Sequence, residues 1–235
     1  MRPTEDKVNV MNVVASTAMG GAERVFLSLA SAINRDRFNC RFCVFVNPMK
    51  PQHELYERLC QGGNDVVTVE IRKDEEMRQW WQLAGIVKAS QIQVLHTHGY
   101  RSDILGLLAA KWAGIPIVST VHGWTSTTRA LRFYEFLQRR GLKYFNSVIA
   151  VSEDIRQRLL LSGLEPKKVV KLNNAIDVLD FSMREDAQAF RQELGIKPGT
   201  RLIGTICRLS VEKGLEYLLK ACAQLIARDR LVKLL

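Results

Sequence analysis

The feature that most constrains the fold of this chain is a regular alternation of strand-like and helix-like segments over residues 1–175. Residues 8–15 form an apolar run typical of a buried strand, and Gly20-Gly21 predicts a sharp turn. Residues 22–33 predict a helix with an apolar stripe of Val25, Leu29 and Ile33. Further strands are predicted at 41–46, 66–71, 94–96, 115–121, 147–151 and 169–172, with helices at 55–59, 77–88, 102–112, 131–144 and 153–161. Because right-handed crossovers place a helix over each strand pair, this alternation predicts an α/β fold with a doubly wound, Rossmann-like parallel sheet.

The pattern changes after residue 175. Residues 176–199 predict a linker with a short helix at 187–194. Residues 200–235 predict the beginning of a second Rossmann-like domain, with a strand at 202–207, a helix at 215–227 and an apolar segment after it. These few elements bury too little surface for a stable domain. We therefore expect an incomplete second domain, with poor solubility and negligible activity for this chain alone.

The charge of the chain favours an anionic partner. Its formal net charge is +10 and its pI is about 9.6, which fits nucleic acid, an acidic membrane face or a phosphorylated small molecule equally well. The sequence has neither the run of about 20 apolar residues that a membrane-spanning helix needs nor the apolar core of a secretion signal. We expect a cytoplasmic protein, with peripheral attachment to the inner membrane face as the second option.

The cysteines predict neither disulfides nor a metal site. Their number is odd and their neighbours are apolar, which is typical of reduced core thiols. Cys40 and Cys43 lie three residues apart in a predicted strand and so face opposite sides of it, and no second Cys or His pair has zinc-ligand spacing. We expect no metal ion and no cofactor.

The segments that follow predicted strands hold the candidate functional residues, because ligands of doubly wound sheets bind at the carboxyl ends of the strands. We expect Gly20-Gly21, His96 to Tyr100, His122 to Trp124 and Ser152-Glu153 to lie together. The backbone amides of Gly20-Gly21 are suited to a phosphate, although two glycines at a turn commonly serve only to avoid steric conflict. The loop matches neither a Walker A motif nor a dinucleotide fingerprint.

Two cations flank a later strand-to-helix loop. Arg208 and Lys213 are spaced so that a forked guanidinium and an ammonium can face one anion such as a diphosphate. By itself the spacing is a weak signal, because surface pairs of this kind are common in basic proteins.

Three histidines near strand ends are candidates for polar chemistry. His122 follows an apolar strand and can orient a hydroxyl group, although a structural role is the simpler interpretation without further context. His96 and His98 point to one side of their strand, but we expect no third histidine or carboxylate beside them and therefore reject a metal site. Ser152 lacks the surroundings of a hydrolase nucleophile and is predicted to cap the helix that follows it.

A basic helix is predicted from Arg129 to Phe145. Helical rotation gathers five cations into about one third of the circumference: Arg129, Arg132, Arg139, Arg140 and Lys143. Aromatic residues are interleaved with them: Phe133, Tyr134, Phe136, Tyr144 and Phe145. The stripe fits anionic lipid headgroups or a lipid-linked acceptor, and a cationic solvent face over an aromatic core face is an equally weighted alternative.

Six segments in order resemble the GT-B fold retaining glycosyltransferases of family 4, over nearly the whole chain. They are residues 20–25 (GGAERV), 94–99 (VLHTHG), 119–123 (STVHG), 148–153 (VIAVSE), 174–177 (NAID) and 206–214 (ICRLSVEKG). The resemblance implies sugar transfer from a nucleotide-sugar to a glycan or lipid-linked acceptor with retention of configuration. It also implies an N-terminal domain that receives the acceptor, a C-terminal domain that binds the donor, and no metal.

The same resemblance implies roles for individual residues. Gly20 and Gly21 would adjoin the donor diphosphate, which Arg208 and Lys213 would hold. His122 would lie near the transferred sugar as the catalytic residue, and His98 would line the acceptor side. Asn174-Ala175 stands where the family commonly has Asn-Gly, and the family's paired glutamates would fall beyond Leu235.

Two other functions remain open from the sequence. A non-catalytic module could bind an acceptor, a membrane or a partner chain through its basic helix. Binding of nucleic acid through net charge has the least support, because no recognised binding motif is present, and we expect no nucleic-acid partner.

Overall fold

The computed structural model describes residues 7–15, 19–49, 53–72, 75–124, 128–176, 187–207 and 209–235. The chain divides into two compact units, Met1–Asp177 and Val178–Leu235.

The first unit is built around a parallel sheet that, in the described residues, has seven strands. The strands are β1 (Val8–Val14), β2 (Phe38–Val46), β3 (Asp65–Glu70), β4 (Val94–His98), β5 (Ile117–Val121), β6 (Ser147–Ala150) and β7 (Val169–Lys171). Their order in the sheet is β3-β2-β1-β4-β5-β6-β7, and every pair is parallel. The predicted doubly wound α/β fold is confirmed.

Helices connect the strands of the first unit. They are α1 (Gly21–Ala32), α2 (Glu54–Gln61), α3 (Glu76–Ala89), α4 (Tyr100–Ala113), α5 (Arg129–Gly141) and α6 (Glu153–Leu161), with short 3₁₀ turns at Leu142–Tyr144 and Pro166–Lys168. The Ser152 side chain accepts a hydrogen bond from the Ile155 amide at 3.3 Å, which confirms the predicted cap of α6.

The sheet separates two apolar cores, because side chains of a strand alternate between its faces. Phe42 and Val44 pack with Phe26 of α1 and Leu59 of α2, whereas Cys43 belongs to the larger core that includes residues of α3, α4 and α6. Cys40 packs against the smaller core, so the two cysteines face opposite sides as predicted.

The predicted apolar stripe of α1 was wrong by one position. Val25 and Leu29 are only partly buried, whereas Phe26 and Ala30 are fully buried. The Phe26 ring meets the Phe42 ring edge to face at 5.4 Å between centroids, and this larger aromatic contact determines which side of the helix faces the sheet.

The second unit contains α7 (Ala187–Glu193), β8 (Arg201–Ile203), a 3₁₀ turn at Val211–Lys213, α8 (Leu215–Arg228) and β9 (Val232–Leu234). Strands β8 and β9 pair in parallel. β8 is shorter than the strand predicted at 202–207. Among the described residues of this unit, only Thr200, Cys222 and Val232 are buried.

Candidate active site

The strand order reverses between β1 and β4. From β1 the chain continues through β2 and β3 toward one edge of the sheet, and from β4 it continues through β5, β6 and β7 toward the other. In doubly wound sheets this reversal separates the neighbouring connections and opens a crevice outside the carboxyl ends of the strands. The loop after β1 and the end of β4 therefore flank the place where a ligand is expected.

The glycine loop, defined here as Gly20 and Gly21, lies between β1 and the body of α1. Gly20 has extended backbone and directly precedes α1, and a Cβ atom on it would lie 2.9 Å from Oε2 of the buried Glu23 carboxylate. A Cβ atom on Gly21 would meet nothing within 4 Å. Among the described residues no side chain caps α1, whose first backbone bond runs from the Arg24 amide to the Gly20 carbonyl. The amides before Arg24 therefore have no acceptor within the helix.

Three histidines lie together at the carboxyl ends of β4 and β5. The rings of His96 and His98 are 4.3 Å apart, and His98 Nδ1 is 3.4 Å from His122 Nε2. Strands β4 and β5 are parallel neighbours in which His98 is paired with Thr120, so His122 follows immediately beyond that register. The expectation that no third histidine lies near His96 and His98 was wrong for this reason.

The polar atoms of the histidine cluster, defined here as His96, His98 and His122, are only partly paired. His96 is hydrogen-bonded through Nδ1 to Asn12 Oδ1 at 3.1 Å and through Nε2 to Thr120 Oγ1 at 2.8 Å. His98 Nε2 is buried and has no hydrogen-bond partner among the described residues. The cluster thus retains hydrogen-bonding capacity beyond what these side chains use.

Burial keeps the cluster neutral. It lowers the pKa of His96 to about 4 and the pKa of His98 well below its ordinary value, with further lowering by neighbouring histidines. Burial also lowers the pKa of His122, against a smaller opposing effect of the Glu23 charge. At neutral pH these imidazoles can accept or donate hydrogen bonds but do not act as cations. In the described part of the chain, no group of three or more His, Cys, Asp or Glu side chains could hold a metal ion.

A second buried polar group lies on the opposite face of β4 and β5, and sequence reasoning missed it. The Asp103 carboxylate accepts hydrogen bonds from Thr97 Oγ1, Ser119 Oγ at 3.0 Å and Gln138 Nε2 at 2.6 Å. Burial raises the pKa of Asp103 to about 6, although these three donors oppose the shift. We call these four residues the Asp103 cluster. The sequence does hold one signal for this cluster: Asp103 shares the buried side of α4 with Gly106 and Ala110, and an acidic residue at such a position indicates a buried polar network.

The Asp103 cluster is connected to the loop that carries His122. The Gln138 side-chain carbonyl accepts a hydrogen bond from Trp124 Nε1 at 2.9 Å, and the Arg139 guanidinium lies 4.4 Å from the centre of the Trp124 ring. Trp124 is two residues beyond His122. The buried carboxylate therefore helps to position the end of β5.

The sequence analysis left open that the basic helix has a cationic solvent face over an aromatic core face, and α5 does not have that arrangement. Glu135 and Gln138 are its buried side chains, whereas Phe133 and Phe136 are more than half exposed. Four cations of the predicted stripe, Arg129, Arg132, Arg139 and Arg140, are exposed on α5, and Lys143 is exposed in the following 3₁₀ turn. Aromatic and cationic side chains thus share the surface of this helix.

The predicted donor-side cations belong to the second unit. Lys213 is exposed at the turn that precedes α8, and Arg208 lies outside the described residues. Their role in holding a diphosphate stays a prediction.

The family follows from comparison with known proteins. The model of the family described as Glycosyltransferase Family 4 matches residues 19–178, which is more than half of the chain. The chain belongs to glycosyltransferase family 4. The family match begins just before the glycine loop, and it includes the histidine cluster and the Asp103 cluster.

Individual relatives of this family 4 chain are distant. It is 23% identical over 237 residues to an Escherichia coli UDP-Gal:alpha-D-GlcNAc-diphosphoundecaprenol alpha-1,3-galactosyltransferase, covering 97% of this chain and 61% of the relative. It is 26% identical over 163 residues to a Streptococcus pneumoniae alpha-monoglucosyldiacylglycerol synthase, covering 63% of this chain and 37% of the relative. The chain thus spans less than two thirds of the length of both proteins.

The fold has a solved counterpart. The Anabaena protein HepE, crystallised with UDP and glucose, matches with a TM-score of 0.79 at 19% identity over 96% of this chain and 59% of that chain. At this identity the similarity concerns the fold, and it agrees with the GT-B architecture that the motifs predicted.

Proposed function

We propose that this chain provides the acceptor side of a glycosyltransferase that moves a sugar from a nucleotide-sugar to a lipid-linked acceptor with retention of configuration. The observation that carries the proposal is that two features lie at the point of strand reversal in a chain of family 4. One is the start of α1, which no described side chain caps, and the other is the neutral histidine cluster, in which His98 Nε2 has no partner among the described residues. In the proposed division, residues 1–175 receive the acceptor, residues 176–199 link, and residues 200–235 belong to the donor side.

The proposed chemistry uses neutral imidazoles, backbone amides and two cationic side chains, and it requires no metal or cofactor. His122 hydrogen-bonds the transferred sugar and His98 a hydroxyl of the acceptor, because neutral imidazoles can both donate and accept. The amides of Gly21 and its neighbours face the diphosphate, with the positive end of the α1 dipole behind them. Arg208 and Lys213 stabilise the charge that develops on the departing diphosphate.

The choice of a lipid-linked acceptor is supported by two observations. The E. coli relative is named for an acceptor on diphosphoundecaprenol, and the S. pneumoniae relative for a diacylglycerol product. The exposed cations and aromatics of α5 form a surface suited to anionic headgroups. No described helix is long and apolar enough to cross a bilayer. On the strength of its exposed cations and aromatics, we propose that α5 makes peripheral contact with the membrane.

Transfer of label tests the proposal. The product of the complete reading frame that encodes this chain is incubated with radiolabelled UDP-sugars and lipid-linked saccharides. We expect label in the organic phase, with the anomeric configuration of the donor retained in the product. Acceptor binding without transfer by any nucleotide-sugar would instead favour the non-catalytic module.

A further inference from the structure

An apolar groove lies beside α4, where that helix packs between α3 and α5. It is lined by Met77 and Trp80 of α3, Ile104, Leu105 and Leu108 of α4, and Tyr134 of α5, and its volume is about 240 Å³. Cavities of about 150 Å³ already admit a benzene molecule. The groove is therefore large enough for several methylene groups.

One end of this groove is close to the histidine cluster. Tyr100 and Arg101 also line it, and they follow His98 by two and three residues at the start of α4. A guanidinium nitrogen of Arg101 donates a hydrogen bond to the Oε1 atom of buried Gln79 at 2.9 Å, which fixes the cation in place. Arg101 retains further donors for a phosphate.

Exposed aromatic rings of α3, α4 and the 3₁₀ turn at Leu142–Tyr144 lie beside lysines near the C-terminal end of α4. We call these residues the aromatic surface. The rings of Trp81 and Trp112 are 5.9 Å apart and each is about half exposed. Lys88 Nζ lies 5.0 Å from the Trp112 ring centre and Lys111 Nζ 4.2 Å from that of Tyr144. Such amphipathic rings beside cations are typical of surfaces where hydrocarbon meets charged headgroups.

We propose that the groove binds the hydrocarbon chain of the acceptor, with Arg101 beside the phosphate of that lipid. The inference rests on the proposed function, because it assigns a site to one part of the proposed acceptor. An apolar cavity with a fixed cation at one end matches a single-chain amphiphile with an anionic head. In this arrangement the lipid phosphate lies at the end of the groove nearest His98. The far end of the hydrocarbon chain lies near the aromatic surface.

Decyl phosphate, used as monomers, is the probe for this site. Titration calorimetry and tryptophan fluorescence should report binding of decyl phosphate and none of inorganic phosphate. Leu108→Glu should weaken binding about tenfold, because it replaces apolar contact with a charge. Leu161→Glu, at an exposed leucine of α6, is the matched control and should leave binding unchanged. Arg101→Gln should weaken binding of decyl phosphate but not of decanol.

The groove is refuted if Leu108→Glu and Leu161→Glu bind decyl phosphate equally, or if inorganic phosphate binds as well as the amphiphile. Circular dichroism of both variants verifies that they fold. A separate measurement distinguishes the two proposals. If sugar transfer proceeds with a KM for the lipid acceptor that changes neither with the acceptor's chain length nor with Leu108→Glu, the groove proposal is wrong and the proposed function stands. If decyl phosphate binds in the groove but no sugar is transferred, the proposed function is wrong and the groove remains a binding site for a lipid phosphate.

Discussion

The histidine cluster and the Asp103 cluster occupy opposite faces of the same two strands, and burial affects them in opposite ways. It lowers the pKa of the histidines and raises that of Asp103. Each Asp103 oxygen has protein donors, whereas His98 Nε2 has no partner among the described residues. A fully paired buried group stabilises a fold, and an incompletely paired one beside a crevice is available to a ligand.

The largest effect is expected from removing the carboxylate. Asp103→Ala leaves the donors of Thr97, Ser119 and Gln138 without their shared acceptor, which should lower the free energy of unfolding by about 3 kcal/mol. Urea denaturation measures this. His98→Gln should lower it by roughly 1 kcal/mol or less, because His98 has fewer bonds to lose. Equal losses in the two variants would remove the distinction between the clusters.

The histidine cluster should dominate activity instead. His122→Ala should lower transfer by roughly 100-fold in the product of the complete reading frame, because a positioned hydrogen-bonding group at the reacting sugar is lost. Initial rates with labelled donor measure the effect. His53→Asn is the control, since His53 accepts the capping hydrogen bond at the start of α2 and Asn also caps helices. Full activity in His122→Ala would contradict the proposed role.

Acid should affect the two clusters with opposite sign. The His96 pKa is about 4 in the fold against an ordinary 6.5, so its contribution to stability is lost as pH falls from 6.5 toward 4. Between pH 6.5 and 5 the free energy of unfolding of His96→Gln should therefore fall by about 2 kcal/mol less than that of the parent protein.

Asp103 gives the opposite sign, because its pKa is about 6 in the fold against an ordinary 3.8 and the folded state binds a proton first as pH falls. The parent protein therefore gains stability from Asp103 as pH falls, and Asp103→Asn cannot. Between pH 7 and 5 the free energy of unfolding of Asp103→Asn should fall by about 1 kcal/mol more than that of the parent. Urea melts across this range test both variants. Parallel pH profiles for all three proteins would show that neither group titrates as described.

The smallest effects are expected at the glycine loop. Gly20→Ala forces the Glu23 carboxylate to move from a site 2.9 Å away, at a cost of about 1 kcal/mol or less. Gly21→Ala meets open space and should be neutral or stabilise by about 0.5 kcal/mol, since alanine favours helix. Thermal melts compare the two. If Gly21→Ala costs more than Gly20→Ala, steric contact with Glu23 does not explain the loop.

Local patterns predicted the elements of the first unit well, because strand and helix periods differ and short strands alternate with longer amphipathic helices. The strand-end positions of His98 and His122 were predicted in the same way. The position of the strand reversal, between β1 and β4, was not predicted, because strand order depends on contacts between segments that are distant in sequence. The Asp103 cluster was missed for a similar reason: its donors come from β4, β5 and α5, and no single segment shows the pattern.

The central proposal is that the neutral histidine cluster at the strand reversal contacts the reactants, with His98 on the acceptor side and His122 beside the transferred sugar. Nitrogen NMR of protein labelled at histidine and glutamine, titrated with a lipid-linked saccharide, tests it most directly. We predict neutral imidazoles at pH 7 and shifts of the His98 and His122 ring nitrogens on binding, with the Gln138 side-chain amide unchanged. Charged imidazoles in the free protein, or shifts confined to the Gln138 amide, would contradict the account.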